Sequence, residues 1–298
     1  MYPAPFRYHR PASLKEAILM LSALGETAKP LAGGQTLIPI LKLRMDELTD
    51  LVDIGRLPDL RFATQHDGWV EIGALSSHGW IAKSDIAAAI PIVRDCAAGI
   101  ADVQVRNRGT IGGSVSTAHP TCDWPVLLHA LDAEIRCSGP DGDRTILIQD
   151  FITEAYTTTI APGELVTAVR FKLPVANSGG AHIAYKKAAA AFPVCSVSIQ
   201  LTLGPGNSCQ DVRIVMGGAG PTPRRAIQAE AELRGKILSE PLLLRAAEAA
   251  SAIADPQGDV CGTTEYKRAL LRGLFVQTAN VAIRRCANVK IEGGHVYA

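Results

Sequence analysis

The hydrophobic positions of this chain recur with two different periods, which predicts a mixture of helices and strands. Apolar residues at positions 14, 17, 18 and 21 follow helical spacing, with Ser13 as the expected N-cap and Gly25 as the end of the element. Residues 69–74 alternate with a period of two, which is typical of a half-buried strand. Residues 50–55 predict another strand, so helices and strands alternate along the first part of the chain.

The middle of the chain predicts short elements that glycine and proline separate. Residues 84–99 have a helical spacing that Pro91 interrupts, so two short helices are expected there. After Pro125 a short apolar helix passes into a strand. Residues 139–143 have the composition of a hairpin turn, and a further strand begins at Arg144.

The chain changes character after about residue 175. A linker-like joint is expected at 177–180, and three strands follow at 182–186, 194–203 and 212–216, with a hairpin turn at 204–207. Alanine, leucine, glutamate and arginine then dominate, and their spacing predicts three helices at 226–233, 239–253 and 263–285. A small sheet with a helical layer is an α+β unit.

Composition narrows the classes of function. The 298 residues predict two domains, and 30 basic against 29 acidic residues leave a formal charge of +1. Nothing in this balance favours nucleic acid or an anionic membrane as a partner. The first residues lack the apolar core of a signal peptide, and no window approaches a membrane span, so we expect a cytoplasmic protein.

The cysteines argue against a metal centre in this chain. There are seven, they are scattered, and none forms a Cys-x-x-Cys pair. This pattern disfavours a disulfide framework, a zinc site and an iron–sulfur cluster. Any redox centre that the chain holds is therefore expected to be organic.

Two glycine pairs are the candidate ligand-binding features. Residues 32–36 read Ala-Gly-Gly-Gln-Thr after a predicted strand, and residues 104–125 contain Gly112 and Gly113 followed by small hydroxyl residues. A glycine pair after a strand is more often a tight turn than a phosphate site. Here two such segments occur, and backbone amides in turns can bind phosphate oxygens, so we interpret them as the two halves of a diphosphate clamp. The Rossmann fingerprint and the P-loop sequence are both absent.

Together, the motifs resemble those of one family, the FAD-binding subunits of molybdenum hydroxylases. This family includes carbon monoxide dehydrogenase medium subunits and xanthine dehydrogenase flavin domains. The resemblance covers nearly the whole chain, and its specificity comes from the order and spacing of the motifs. They are Ala-Gly-Gly-Gln-Thr-Leu-Ile-Pro at 32–39, Leu-Val-Asp-Ile at 51–54, Ile-Gly-Ala at 72–74, Gln-Val-Arg-Asn-Arg-Gly-Thr-Ile-Gly-Gly at 104–113, Asp-Trp-Pro at 123–125, Pro-Gly-Glu-Leu at 162–165, Tyr-Lys at 185–186, Gly-Gly-Ala-Gly-Pro-Thr-Pro-Arg-Arg-Ala at 217–226 and Glu-Tyr-Lys-Arg at 265–268.

The resemblance implies an α+β fold in two parts. The first is a two-subdomain FAD-binding domain of the PCMH/VAO type at 1–175, with subdomains at about 1–55 and 56–175. The second, at 178–290, is a C-terminal flavoprotein domain made of a small antiparallel sheet and a three-helix layer. This second domain is expected to pack against the flavin domain and a partner subunit.

The resemblance also implies a set of FAD-binding residues. The main chain at 32–36 and 110–114 would hold the pyrophosphate and reach the ribityl chain, with Asp123 in the ribose region. Ile100 and Ala101 would line the isoalloxazine side, residues 165–166 the adenine pocket, and Lys186 would lie near the cofactor. The full set is Leu31, Ala32, Gly33, Gly34, Gln35, Thr36, Leu37, Ile100, Ala101, Thr110, Ile111, Gly112, Gly113, Ser114, Thr117, Cys122, Asp123, Leu165, Val166 and Lys186.

The implied function is electron transfer within a heterotrimer. In this family a large subunit hydroxylates substrate at a molybdenum–pterin cofactor, and electrons pass through two [2Fe–2S] clusters of a small subunit to FAD. The FAD subunit then reduces an external acceptor. The expected assembly is a dimer of heterotrimers, with no nucleic acid and no membrane span.

Two departures from the family pattern are visible. Many members have His-Ala-Asp-Pro where this chain has Thr117, Ala118, His119 and Pro120. A histidine in place of an acid removes a negative charge and can titrate near neutral pH, although a solvent-facing loop histidine is the favoured interpretation. After Lys187 the family has an arginine-rich stretch, whereas alanines precede Phe192 here.

Three hypotheses of different classes remain. The first is the flavin electron-transfer subunit, and the second is a self-contained FAD reductase or oxidase of the same broad fold. The third is a structural subunit with a degenerate site. No Ser-His-Asp, Cys-His or paired-acid arrangement is evident in the sequence, and the intact glycine pairs disfavour an empty site.

Overall fold

A computed structural model describes residues 2–46, 48–291 and 293–297, the last three of these by backbone alone. Its first unit is a parallel three-stranded sheet in the order β1-β3-β2. The predicted first helix is confirmed: Ser13 caps it by accepting from Glu16 N at 3.2 Å, and Gly25 ends it. The elements are β1 Arg7–His9, α1 Leu14–Leu24, β2 Ala28–Leu31, α2 Leu37–Leu43 and β3 Asp50–Asp53.

The second unit is an antiparallel five-stranded sheet covered by short helices. Its strand order is β4-β5-β10-β6-β7, and Trp124, Phe151 and Phe171 are fully buried in its core. Pro91 begins a helix, as expected, since its missing amide is not needed in the first turn. The elements are β4 Ala63–His66, β5 Trp69–Gly73, α3 His78–Ile81, α4 Asp85–Ala89, α5 Pro91–Gly99, α6 Val103–Arg108, α7 Ile111–Thr117, α8 Asp123–Ala130, β6 Glu134–Gly139, β7 Gly142–Leu147, α9 Ile148–Phe151, β8 Ile152–Glu154, β9 Thr157–Thr158 and β10 Leu165–Lys172.

The third unit is a five-stranded sheet in the order β14-β13-β12-β11-β15 with three helices packed on it. The predicted helices and the three long strands are confirmed, but two expectations were wrong. Ser178 to Gly180 belong to β11 rather than to a linker, and β15 pairs with β11 in parallel, so the sheet is mixed. The elements are β11 Ser178–Lys186, β12 Cys195–Leu203, β13 Cys209–Gly217, β14 Arg224–Arg225, α10 Ile227–Leu233, α11 Glu240–Ala252, α12 Thr264–Cys286 and β15 Gly294–Tyr297.

Buried polar contacts hold the third unit against helices α5 and α8 of the second. Arg285 Nη1 and Nη2 lie 2.5 and 2.9 Å from the two carboxylate oxygens of Asp95, and both side chains are buried. Arg285 Nη1 also donates to Gly180 O at 2.7 Å. A buried bidentate pair with further hydrogen bonds fixes orientation more than it adds stability. The contact therefore sets how the two units meet beside the cavity described below.

None of the helices within the described ranges has the length and hydropathy that crossing a lipid bilayer requires.

Candidate functional site

A cavity of about 650 Å³ lies where the three units meet, and most of the predicted cofactor residues line it. Its walls come from the β2–α2 turn, the ends of α5 and α6, helix α7, the start of β10 and the loop before β12. This volume lies within the range of small-molecule and cofactor sites. The predicted residues that line it are Ala32, Gly33, Gly34, Gln35, Thr36, Leu37, Ile100, Ala101, Thr110, Gly112, Gly113, Ser114, Thr117, Cys122, Asp123, Leu165 and Val166.

The first glycine segment, residues 33–36, presents its main chain to the cavity. Within the part of the chain that the structure describes, the amides of these four residues have no hydrogen-bond acceptor. Gly34 has φ of +73°, which glycine adopts without strain, and the turn leads into the N-terminus of α2. Consecutive free amides in a turn form a concavity for an anion. This segment is therefore suited to a phosphate group.

The second glycine segment, residues 110–114, differs from expectation because it begins a helix. Thr110 caps α7 by accepting from Gly113 N at 3.2 Å. The amides of Ile111 and Gly112 donate to Ser76 O and Ala74 O at 3.1 and 2.9 Å, while Ser114 N donates to Thr110 O at 3.0 Å. The amides of residues 111–114 are therefore already bonded within the protein, and the role of this main chain in holding the pyrophosphate stays a prediction.

The second segment and the helix that it begins contribute small residues and hydroxyl groups to the cavity wall. Gly113, Ser114 and Thr117 line the cavity, whereas the side chain of Ile111 is fully buried in the core and does not. Cys122 lies beside them, and Ser114 Oγ donates to its sulfur at 3.6 Å. Burial raises the pKa of Cys122 to about 12, so its thiol stays protonated.

Each glycine segment packs closely against a neighbouring part of the protein. A Cβ added at Gly33 would lie 2.8 Å from the carbonyl carbon of Arg108 and closer still to its oxygen. A Cβ at Gly112 would lie 2.6 Å from Cβ of Ala74. Both glycines are therefore required by protein packing, in addition to any approach of a ligand.

Asp123 connects the cavity to the C-terminal sheet. It lies in the first turn of α8, is 4% exposed and lines the cavity. His182, on β11, is fully buried, with Nε2 at 2.9 Å from Asp123 Oδ1 and Nδ1 at 2.7 Å from Ser198 Oγ. The backbone amide of His182 donates to Asp95 Oδ2 at 3.2 Å. The third unit thereby holds the carboxylate on the cavity wall.

Lys186 is fully buried and does not line the cavity. Its Nζ donates to Gly99 O at 3.0 Å and to Ala189 O at 3.1 Å, and burial lowers its pKa. Gly99 immediately precedes the predicted ring-contacting residues Ile100 and Ala101. Lys186 therefore links the backbone at Gly99 to the loop at 187–193. It affects the cavity by holding these two backbone segments in place.

Ile100 and Ala101 are held from a second side as well. Arg106 Nη1 donates to both of their carbonyl oxygens, at 2.8 and 2.7 Å. Ala101 has φ of +43°, a left-handed conformation that costs about 1 kcal/mol or more for a residue with a Cβ. The two carbonyl contacts stabilise this strained corner at the cavity wall.

An aromatic cluster lies at the edge of the cavity where the chain departs from the family. His119 stacks on Phe192, with ring centroids 4.0 Å apart, and meets the edge of Tyr156 at 5.3 Å. Burial lowers the pKa of His119, which favours the neutral ring. His119 thus lies in a loop and is partly exposed, with its ring packed against two aromatic side chains. Phe192 and Tyr156 line the cavity, so this region supplies an aromatic wall.

Some of the residues that line the cavity were not predicted from the sequence. Leu31, which it predicted, borders an adjoining space of about 400 Å³ instead, together with Lys42 and Arg108. The missed lining includes His78, Tyr156, Thr158, Ile160 and residues 190–193. These residues carry no motif of their own, because they reach the cavity through the fold. The one signal in the sequence for these residues was His78, which follows the Ile-Gly-Ala motif at 72–74 by four residues.

The comparisons with known proteins agree with one another over nearly the whole length of the chain. The model of the FAD-binding domain in molybdopterin dehydrogenase matches residues 4–174, and that of the CO dehydrogenase flavoprotein C-terminal domain matches residues 164–282. The chain is 38% identical over 283 residues to the carbon monoxide dehydrogenase medium chain of Afipia carboxidovorans, covering 94% of this chain and 96% of that one. It is 37% identical over 281 residues to the glyceraldehyde dehydrogenase medium chain of Sulfolobus acidocaldarius, covering 93% and 98%. Its fold matches a chain of the reconstituted CO dehydrogenase from Oligotropha carboxidovorans with a TM-score of 0.92 and 36% identity, over 96% of this chain and 100% of that chain.

Proposed function

We propose that this chain, which belongs to the family of FAD-binding flavoprotein subunits of molybdenum-containing dehydrogenases, is the electron-exit subunit of a heterotrimeric molybdenum hydroxylase. It receives electrons from [2Fe–2S] clusters of a small subunit after a large molybdopterin subunit has hydroxylated substrate. It passes them to an external acceptor. The relatives named as medium chains support a complex of several subunits, for which we propose a dimer of heterotrimers.

The observation that carries the proposal is the row of amides at residues 33–36 on the wall of the cavity. FAD is the cofactor of this family, and its diphosphate needs donors that the protein does not already use. The apolar start of β10, at Leu165 and Val166, supplies a wall suited to adenine, and Ile100 and Ala101 supply one suited to the ring. The residues present therefore fit the cofactor.

FAD, when bound, supplies redox chemistry that can link one-electron carriers to two-electron acceptors. The chain's own residues bind and orient it. The first glycine segment holds the diphosphate, Ser114 and Thr117 border the sugar-like ribityl chain, and Asp123 is fixed by His182 from the third unit. Lys186 acts through the backbone at Gly99 and Ala189.

Two features argue for this function over a self-contained flavoenzyme. The C-terminal unit matches a flavoprotein-subunit domain over residues 164–282. Its helices pack on the outer sheet, and none of the described residues of these three helices lines the cavity. We propose the cytoplasm as the location, and the seven free cysteines suit a reducing compartment.

The direct test is the flavin content of the purified chain. We expect a yellow protein that releases FAD rather than FMN on denaturation. Stripped protein should bind FAD and, more weakly, ADP, because the free amides recognise the diphosphate. A colourless protein that also fails to bind added FAD would overturn the proposal.

The subunit role is tested by purification from the source with a tag on this chain. A cluster-bearing small subunit and a large molybdenum subunit are expected to copurify. The isolated chain should exchange electrons with artificial carriers yet oxidise no organic substrate by itself. Substrate turnover by the lone chain would contradict the electron-exit role while leaving FAD binding intact.

A further inference from the structure

His78 occupies the wall of the cavity between the two glycine segments. It begins the short helix α3, and its backbone amide donates to Gly109 O at 3.0 Å. Its side chain is only 4% exposed and lines the cavity. A Cβ added at Gly109 would lie 2.8 Å from His78 Nε2, and Gly109 in turn packs against Gly33. The ring nitrogen therefore lies close to the segment whose amides are free.

The protonation of this ring is fixed by Trp124. An indole N–H can only donate, and Trp124 Nε1 donates to His78 Nδ1 at 3.0 Å within the core. Nδ1 must then carry a lone pair. Burial also lowers the pKa of His78 to about 4, so the ring is neutral at physiological pH. The single ring proton is consequently on Nε2.

The Nε2–H donor is directed to the cavity. Among residues 2–46, 48–291 and 293–297, the fully buried side-chain polar atoms without a hydrogen-bond partner are Ser196 Oγ and Gln200 Oε1. His78 Nε2 is not one of them, and no acceptor for it exists in this part of the chain. It is therefore open to the cavity that His78 lines.

We propose that His78 is a cofactor-binding residue whose Nε2–H donates to an oxygen of the chain that joins the flavin ring to the adenosine, the ribityl–diphosphate chain. The inference rests on the proposed function, because it needs FAD in this cavity. Trp124 is then a positioning residue that selects the donor tautomer. Helix α8 serves the cavity twice, through Asp123 and through Trp124.

Two substitutions separate ligand binding from a purely structural role of His78. Asparagine places an amide oxygen near the position of Nδ1 and nothing near Nε2, so His78→Asn keeps an acceptor for Trp124 and removes the donor to the cavity. Glutamine reaches the position of Nε2 and leaves that of Nδ1 empty, so His78→Gln does the reverse. The measurements are the melting temperature of the full chain without flavin and its dissociation constants for FAD, ADP and FMN.

We expect His78→Asn to melt near the wild-type temperature and to bind FAD about 10-fold more weakly, the effect of one lost hydrogen bond. His78→Gln should melt lower yet keep most of its FAD affinity. A parallel loss of ADP affinity in His78→Asn assigns the contact to the diphosphate, and a loss of FMN affinity assigns it to the ribityl chain.

Wild-type FAD affinity in His78→Asn would overturn the inference and leave the proposed function standing. The inference also fails if both variants lose FAD affinity in proportion to their loss of melting temperature, because that is the signature of a structural residue. Failure of the wild-type chain to bind FAD would overturn both proposals.

Discussion

The two glycine segments resemble each other in sequence but use their backbones in opposite ways. Residues 33–36 form a turn whose amides have no acceptor in the described part of the chain, whereas residues 110–114 form a capped helix start in which the amides of residues 111–114 are bonded internally. A glycine pair therefore does not by itself identify a phosphate site. A phosphate site is identified by the acceptor of each backbone N–H group, since an N–H group without an acceptor at a cavity wall is available to a ligand.

The two segments also differ in how they are anchored. The second segment is followed by Asp123, which His182 links to the C-terminal sheet. The first segment is followed by helix α2 and rests on Arg108 and Gly109. We infer that the second segment forms the rigid side of the cavity and that the first supplies the binding groups.

The largest expected effect comes from removing the anchor of the second segment. His182→Ala removes the imidazole that lies 2.9 Å from the buried side chain of Asp123, and removing one partner of a buried hydrogen bond to an acidic group costs about 3 kcal/mol or more. Chemical denaturation of the flavin-free chain measures the change in the free energy of unfolding. Ser198→Ala is the matched control, because it removes only the far hydrogen bond and should cost about 1 kcal/mol. Equal losses in the two variants would show that Asp123 does not depend on His182.

The next effect compares two glycines of the cavity wall, one with backbone packed tightly against it and one without. Gly33→Ala places a methyl group against the Arg108 carbonyl, and we expect a loss of about 3 kcal/mol in unfolding free energy without any cofactor. Gly113→Ala meets only Thr110 Oγ1, at 3.0 Å, and should change stability by less than about 1 kcal/mol. Unfolding curves of flavin-free protein test both variants. A Gly33→Ala protein as stable as Gly113→Ala would contradict the close packing of the first segment against the Arg108 carbonyl.

Acid should lower the stability of the flavin-free chain through His78, whose backbone amide is bonded to Gly109, the residue just before the second segment. The pKa of His78 is about 4 in the folded chain, against about 6.5 when unfolded. The unfolded state therefore binds more protons between these values, so stability falls as the pH is lowered from 6.5 towards 4, by an amount on the order of 3 kcal/mol. The burial-lowered pKa values of His119 and His129 act in the same direction.

The contribution of His78 alone is the difference between the stability–pH profiles of the wild type and His78→Asn, because asparagine does not titrate. That difference should grow below pH 6.5 and level off near pH 4. Profiles that stay parallel over this interval would refute the assignment of a neutral, buried ring.

Much of the fold could be predicted from local sequence. The Ser13 cap, the helix break at Pro91 and the three C-terminal helices were all confirmed, since each depends on interactions within a few residues. The six-residue helix α6 was missed, and helix α7 was missed because glycine, which it contains twice, is a poor helix former. Tertiary contacts outweighed that propensity, as Gly112 packs on Ala74 and donates to its carbonyl oxygen.

The cavity was less predictable, because several of its residues reach it only through the fold. His78 and Phe192 are distant in sequence from both glycine segments, and their exposure to the cavity depends on how the units pack. Lys186 was expected near the cofactor on the basis of family resemblance, and only the folded chain places its ammonium group on the carbonyls of Gly99 and Ala189. Motifs therefore located the site, whereas hydrogen-bond partners had to be read from the structure.

The smallest expected effect concerns Thr36 and Thr110. Each is the threonine of its segment that immediately precedes a helix. Thr110 caps α7 through its hydroxyl, whereas Thr36 precedes α2 without a side-chain cap and lines the cavity. Thr110→Ala should therefore lower the unfolding free energy of the flavin-free chain by about 1 kcal/mol, with Thr110→Ser restoring it. Thr36→Ala should leave that stability unchanged and weaken FAD binding, because the Thr36 hydroxyl has no hydrogen-bond partner among the described residues and can bind a ligand. Flavin-free unfolding curves and FAD titrations of the three variants provide the measurement. If Thr36→Ala destabilised the flavin-free chain as much as Thr110→Ala, the first segment would be a structural turn like the second, and the contrast between them would fail.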